Sequence, residues 1–202
     1  MDAMGLLPYY GGILVHDRWA SYNKYGCDHA LCNSHLLREL KYMHEEMNRK
    51  WAEELKLILQ RANKRKMTGT ITAHFQTRIR NQIEYIVFHA LREEPKPKVI
   101  EGKRGKKPKG KAILLLEVFR DHLNEVLMFL YNEEVPFDNN QAERDIRMMK
   151  LKQKISGCFR STNGIQTFCR IRSYISTVKK QNKNAWRSIA DAIQGNPVDL
   201  LT

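Results

Sequence analysis

The chain has 202 residues, of which 42% are hydrophobic, enough for one core or for one core with an insertion. Its 35 Lys/Arg against 22 Asp/Glu give a net charge of +13. Such an excess points to a polyanionic partner, either nucleic acid or an anionic membrane surface. No apolar run, residues 112–116 among them, comes near the roughly 18 residues a spanning helix requires. Residues 1–10 show neither the basic start nor the apolar stretch of a signal peptide. These features predict a soluble, cytoplasmic protein with no membrane partner.

In chain order, the first element is a short β-branched run at residues 12–16 (GILVH), which reads as a buried strand ending at Asp17. A second short strand is predicted over residues 28–32. From Ser34, a plausible N-cap, the pattern turns helical, with Leu36, Leu37 and Leu40 on one face. Helical spacing recurs at Trp51, Leu55, Ile58, Leu59 and Ala62, and again from Phe75 through Ile79, Ile83 and Val87 to Leu91. A third such segment runs over residues 113–131. Between the last two lies residues 95–111, with eight Lys/Arg, one acid, three prolines and three glycines. That composition predicts a mobile basic loop rather than a helix or strand.

A turn and helix start follow at residues 136–140 (PFDNN), predicting a helix over about 141–154, broken at Gly157. Ile165, Phe168, Cys169, Arg172, Ile175 and Val178 predict a long helix. Asn184 starts a last one, with Trp186, Ile189, Ala190 and Ile193 on one face and Gly195 past its end. The pattern is a small β-sheet followed by many helices.

Of the four cysteines, Cys27 and Cys32 lie near His29 and His35, which raises a zinc-stabilised module as one reading. The spacing is tighter than the usual two-plus-two pattern and no second pair follows, so a buried strand leading into a helix is the simpler reading.

Two carboxylates carry candidate chemistry. Asp17 sits at the end of an apolar strand, where open α/β sheets place their sites, although aspartates also serve turns and caps there. Glu143 lies three residues after Asn140, a capping-box spacing, yet it could equally be a metal-binding carboxylate in the first turn of a helix. Asp138, Asp145 and Glu39 read as caps or surface charges. From Arg144 to Arg187 there are twelve Lys/Arg and one acid, interleaved with aromatic residues. Solvated helix faces usually mix signs, so this one-sided charge suggests a phosphate-backbone footprint. Its candidate contacts are Arg144, Arg147, Lys150, Lys152, Lys154 and Arg160.

Residues 137–164 (FDNNQAERDIRMMKLKQKISGCFRSTNG) resemble the end of the catalytic domain in transposases of the insertion sequence 66 family. Residues 16–25 (HDRWASYNKY) are similar to that family's second aspartate block, and residues 32–40 (CNSHLLREL) to the block after it. The resemblance implies an α/β fold leaning mostly α: a partial ribonuclease H-like core over residues 1–40 and 136–180, a helical insertion over 41–135, and a C-terminal helix over 181–202. It also implies DDE chemistry, with Asp17 as the second acid and Glu143 as the third. Both would bind Mg2+ or Mn2+ at a phosphate of transposon-end DNA.

The family's first aspartate lies in a block ahead of the one containing Asp17. Of the sixteen residues before Asp17 the sole acid is Asp2, and it has no matching context. The resemblance therefore implies little or no strand-transfer activity for this chain alone, as a truncated product, a remnant, a homo-oligomer subunit or a piece that pairs with another chain. The alternative is a non-catalytic nucleic-acid-binding protein derived from a transposase.

Overall fold

A computed structural model describes residues 7–95 and 109–199. Most of the predicted basic loop at 95–111 lies outside the described residues. The chain divides into two compact units, Met1–Asn139 and Asn140–Thr202. Among the described residues the structure is mostly helical, with one two-stranded sheet.

In the first unit, strands β1 (Ile13–His16) and β2 (Asp28–Leu31) pair in parallel, placing Leu14 opposite His29 and His16 opposite Leu31. The connection between them carries a 3-10 turn at Ala20–Tyr22. Helix α1 (Asn33–Glu45) follows, with Cys32 at its N-cap. The helix starts one residue before Ser34, whose hydroxyl donates instead to Asp138 (3.0 Å). The remaining helices of this unit are α2 (Lys50–Thr68), α3 (Ala73–Glu93), α4 (Lys111–Asp121) and α5 (Leu123–Tyr131).

Each of these helices buries one stripe at helical spacing: Leu36, Leu40 and Met43 on α1; Ala52, Leu55, Leu59 and Ala62 on α2; Ile79, Ile83, Val87 and Ala90 on α3. The stripes merge with Ala30 and Leu31 of β2 and the inner residues of α4 and α5 into one core. At about 1.5–3 kcal/mol for each large apolar side chain taken out of water, this burial is the main force holding the unit together. Thr72 caps α3 by accepting the Phe75 N–H (3.2 Å).

The apolar periodicity over residues 113–131 predicts one segment, yet two helices form. The break falls at His122 (φ −120°, ψ 25°), and no proline or glycine marks it. The bend lets α4 pack against α3 while α5 packs against β2. Polar ties from elsewhere fix the end of α5 and the chain after it. Gln76 donates to the Leu130 carbonyl (2.6 Å), and Lys66 donates to the carbonyls of Asn132 (3.2 Å) and Val135 (2.6 Å). Burial pushes the Lys66 amine below its ordinary value.

The second unit holds α6 (Asn140–Ser156), α7 (Thr162–Lys180) and α8 (Ala185–Ile193). Gly157 (φ +73°) ends α6 in the left-handed region that glycine adopts without strain. Ser161 caps α7 through the Gly164 N–H, and Asn184 caps α8 through the Arg187 N–H, both at 3.1 Å. Trp186, Ile189, Ala190 and Ile193 share one face of α8, as their spacing predicts, but the structure buries Ser188 and leaves Trp186 and Ile193 more than four-fifths exposed. Polar ties decide that orientation: the Tyr174 hydroxyl donates to the Ser188 carbonyl (2.9 Å) and accepts the Val198 N–H (3.2 Å).

Candidate functional site

Asp17 follows β1 directly, at its carboxyl end, and its side chain is exposed. It lines a cavity of about 490 Å3 with His16, Asn23, His122 and Glu125. The turn that carries it is well held. Asp17 Oδ1 accepts the Trp19 N–H (3.3 Å), Arg18 adopts φ +68°, and the Arg18 guanidinium pairs with Glu39 of α1. Glu39 thus serves as an anchor for this turn rather than as a loose surface charge.

His16, the last residue of β1, is buried. Its Nδ1 accepts the Arg18 N–H (3.2 Å), and its Nε2 faces His29 Nδ1 at 3.0 Å across the sheet. His29 Nε2 in turn reaches the Tyr25 carbonyl (3.1 Å). Burial, followed by the neighbouring His29, holds the His16 imidazole below its ordinary value, while Glu125 and Asp17 act in the opposite direction.

On the far side of the cavity His122 Nδ1 lies 3.0 Å from both Glu125 carboxylate oxygens. His122 and Glu125 were not found by sequence reasoning, which weighed His29 only as a zinc ligand and His16 only as the end of a strand and of a family block. A break between helices brings His122 and Glu125 to Asp17, a parallel pairing register brings His29 to His16, and neither leaves a local signature. Both His29 ring nitrogens are engaged, and Cys32 Sγ accepts the Asn139 N–H (3.2 Å), so two members of the Cys27, His29, Cys32 and His35 cluster already spend their ligand atoms on hydrogen bonds.

The segment before α6 is stitched to the same strand. Asn139 donates from its side chain to the Val15 carbonyl (3.3 Å), and the Phe137 carbonyl accepts the Asn33 N–H (3.1 Å). Asp138, read as a cap or surface charge, accepts from Ser34 and so joins this seam.

Glu143 is half-buried in the first turn of α6. At 100° per residue, Glu143, Arg147, Lys150 and Lys154 fall on one face of that helix, spaced i, i+4, i+7 and i+11. The carboxylate therefore heads a cationic stripe drawn from the candidate phosphate contacts that the sequence offers. Arg144, Arg147, Lys150, Lys152, Lys154 and Arg160 are all exposed. Asp145 differs from these. It accepts from Ser176 (2.8 Å) and Lys180 (2.7 Å) and ties α6 to α7.

The cavity beside Asp17 offers carboxylate and amide oxygens, a donor set suited to a hard divalent cation that keeps most of its water. Among the described residues of the first unit, no trio of His, Cys, Asp and Glu that includes Asp17 has its ligand atoms within 4.8 Å of one another. Among the described residues, no helix is long and apolar enough to cross a membrane.

No curated protein and no solved structure matches the chain significantly. The Transposase IS66 family matches residues 2–167, which contain both Asp17 and Glu143 with their flanking blocks. A match over well over half of the chain settles its kinship and links it to transposition: the chain belongs to the IS66 family of transposases.

Proposed function

We propose that the chain is part of a DDE transposase catalytic domain in which Asp17 and Glu143 are metal-binding carboxylates beside a DNA-binding surface. In this reading residues 1–40 and 136–180 form a partial ribonuclease H-like core, residues 41–135 a helical insertion, and residues 181–202 a C-terminal helix. The observation that carries the proposal is the exposed Asp17 carboxylate at the carboxyl end of β1, held over an oxygen-lined cavity within a matched transposase family.

Bound Mg2+ or Mn2+ supplies activation of water or a 3′ hydroxyl and stabilisation of the leaving oxygen. The chain's own residues orient and neutralise. Asp17 and Glu143 offer hard anionic oxygen to the cation. Arg147, Lys150 and Lys154, with Arg144, Lys152 and Arg160 around them, hold the phosphate backbone of transposon-end DNA. Two carboxylates retain a cation weakly, so strand transfer calls for a further acid.

Binding of the chain to transposon-end duplex DNA, titrated against salt with and without Mg2+, tests this reading. The expected result is steep salt dependence and a Mg2+ enhancement that Asp17→Ala and Glu143→Ala both abolish. Salt-independent affinity would remove the DNA surface. A Mg2+ effect that survives both substitutions would remove the site. Steep salt dependence with no Mg2+ effect at all would favour a non-catalytic nucleic-acid-binding protein, the second reading that the one-sided charge allows.

A further inference from the structure

We propose that His16 is a positioning residue for Asp17, locked in a single neutral tautomer by a hydrogen-bond relay that runs from the Arg18 amide through His29 to the Tyr25 carbonyl. The inference rests on the reading of Asp17 as a cation ligand.

The proton positions follow from the donors and acceptors at each end. The Arg18 N–H can only donate, so His16 Nδ1, at 3.2 Å, carries a lone pair. The His16 proton therefore sits on Nε2, 3.0 Å from His29 Nδ1, which must accept it. The His29 proton is then on Nε2, 3.1 Å from the Tyr25 carbonyl, which can only accept. One assignment satisfies all three contacts. A proton on His16 Nδ1 would set donor against donor.

The relay acts where the backbone is least comfortable. Arg18 is in the left-handed region at φ +68°, uncommon for a residue with a side chain. Its amide is held by His16 and its guanidinium by Glu39. Asp17 lies between His16 and Arg18, so its backbone is held from both sides, and its Oδ1 accepts the Trp19 N–H of the same turn (3.3 Å). His16 is buried against Tyr22 (ring centroids 5.0 Å apart) and is fixed to β2 through His29, so its ring has no freedom to follow a moving turn. A metal-binding carboxylate held in this way gains affinity from its supporting hydrogen bonds.

Three readouts on the full chain at neutral pH test the proposal. Imidazole 15N spectra should show His16 and His29 both protonated on Nε2, with a coupling across the His16 Nε2 to His29 Nδ1 hydrogen bond. A proton on His16 Nδ1 overturns the relay.

Amide hydrogen exchange at Arg18 should accelerate by about tenfold or more in His16→Phe, which keeps the ring but removes the acceptor. It should stay near the wild-type rate in His16→Asn, whose amide oxygen can take the place of Nδ1. Unchanged exchange in His16→Phe overturns the proposal.

Mn2+ affinity should fall about tenfold or more in His16→Phe and recover in His16→Asn, on the scale of other supporting residues at metal sites. If Asp17→Ala abolishes Mn2+ binding while His16→Phe leaves it intact, positioning by His16 is refuted and the metal reading stands. If Asp17→Ala binds Mn2+ as the wild type does, the metal reading falls, and the positioning claim falls with it.

Discussion

Leu59 on α2 and Ile155 on α6 are both large aliphatic residues on long helices, yet Leu59 is fully buried and Ile155 is 75% exposed. The contrast runs through the two units. In the first, the stripes of five helices and a strand merge into one core. In the second, Val178 is the only buried apolar side chain among the described residues, and α6 buries none. Its helices rely on caps at Ser161 and Asn184 and on polar ties such as Asp145 to Ser176 and Lys180. The first unit is thus built for stability. The second presents surface, and its charge is one-sided, with twelve Lys/Arg against four Asp/Glu over residues 140–202.

Substitutions that remove equal volume should therefore behave unequally, and this comparison carries the largest expected effect. Leu59→Ala should cost about 2–5 kcal/mol, the range for a buried leucine whose cavity cannot close. Ile155→Ala should stay within about 0.5 kcal/mol, as surface changes do. Chemical denaturation followed by far-ultraviolet circular dichroism measures both. Equal losses would mean that α6 buries its apolar face under solution conditions.

How far the sequence foretold each unit follows the same division. Both strands, the three long helices α1 to α3 and the end of α6 at Gly157 were legible because burial periodicity and backbone chemistry are local signals. The break at His122 was not, because it answers to where α4 and α5 must pack and no proline or glycine marks it. The shared face of Trp186, Ile189, Ala190 and Ile193 was legible, but the burial of Ser188 was not, because it goes with a tie from Tyr174 that has no local signature. At the site, Asp17 and Glu143 stood out through their motifs. His122 and Glu125 did not, since only a helix break brings them near Asp17, and His29, weighed as a zinc ligand, reaches His16 only through the register of a parallel pair.

A smaller effect is expected on the cationic face of α6. Arg147→Ala and Lys150→Ala should each weaken duplex DNA binding across sequences alike and lower the slope of log affinity against log salt by about 1. The same change at Lys56, paired with Glu53 on α2 of the first unit, should leave the slope unaltered. Parallel titrations of the three variants would show whether the charge division between the units is functional. A loss of slope at Lys56 as large as at Arg147 would erase the distinction.

The smallest effect concerns Asp145. The hydrogen bonds from Lys180 and then from Ser176 hold its carboxyl below the ordinary value of 3.8. A group depressed on folding stabilises the folded state above its unfolded value and loses that contribution as pH falls through the folded one. The tie between α6 and α7 should therefore be complete at neutral pH and weaken only below about pH 4. Because the pair is partly exposed, Asp145→Asn should lower the thermal midpoint only slightly at neutral pH. Wild type and variant should converge in acid, as thermal unfolding across pH would show. A gap that widens in acid would reverse the assignment.

The central proposal is that Asp17 and Glu143 are both metal-binding carboxylates. A double-substitution cycle of Mn2+ affinity, using Asp17→Ala, Glu143→Ala and the pair together, tests it most directly. Each single substitution should weaken the binding, and the double variant should abolish it. Affinity unchanged in either single variant would contradict the account.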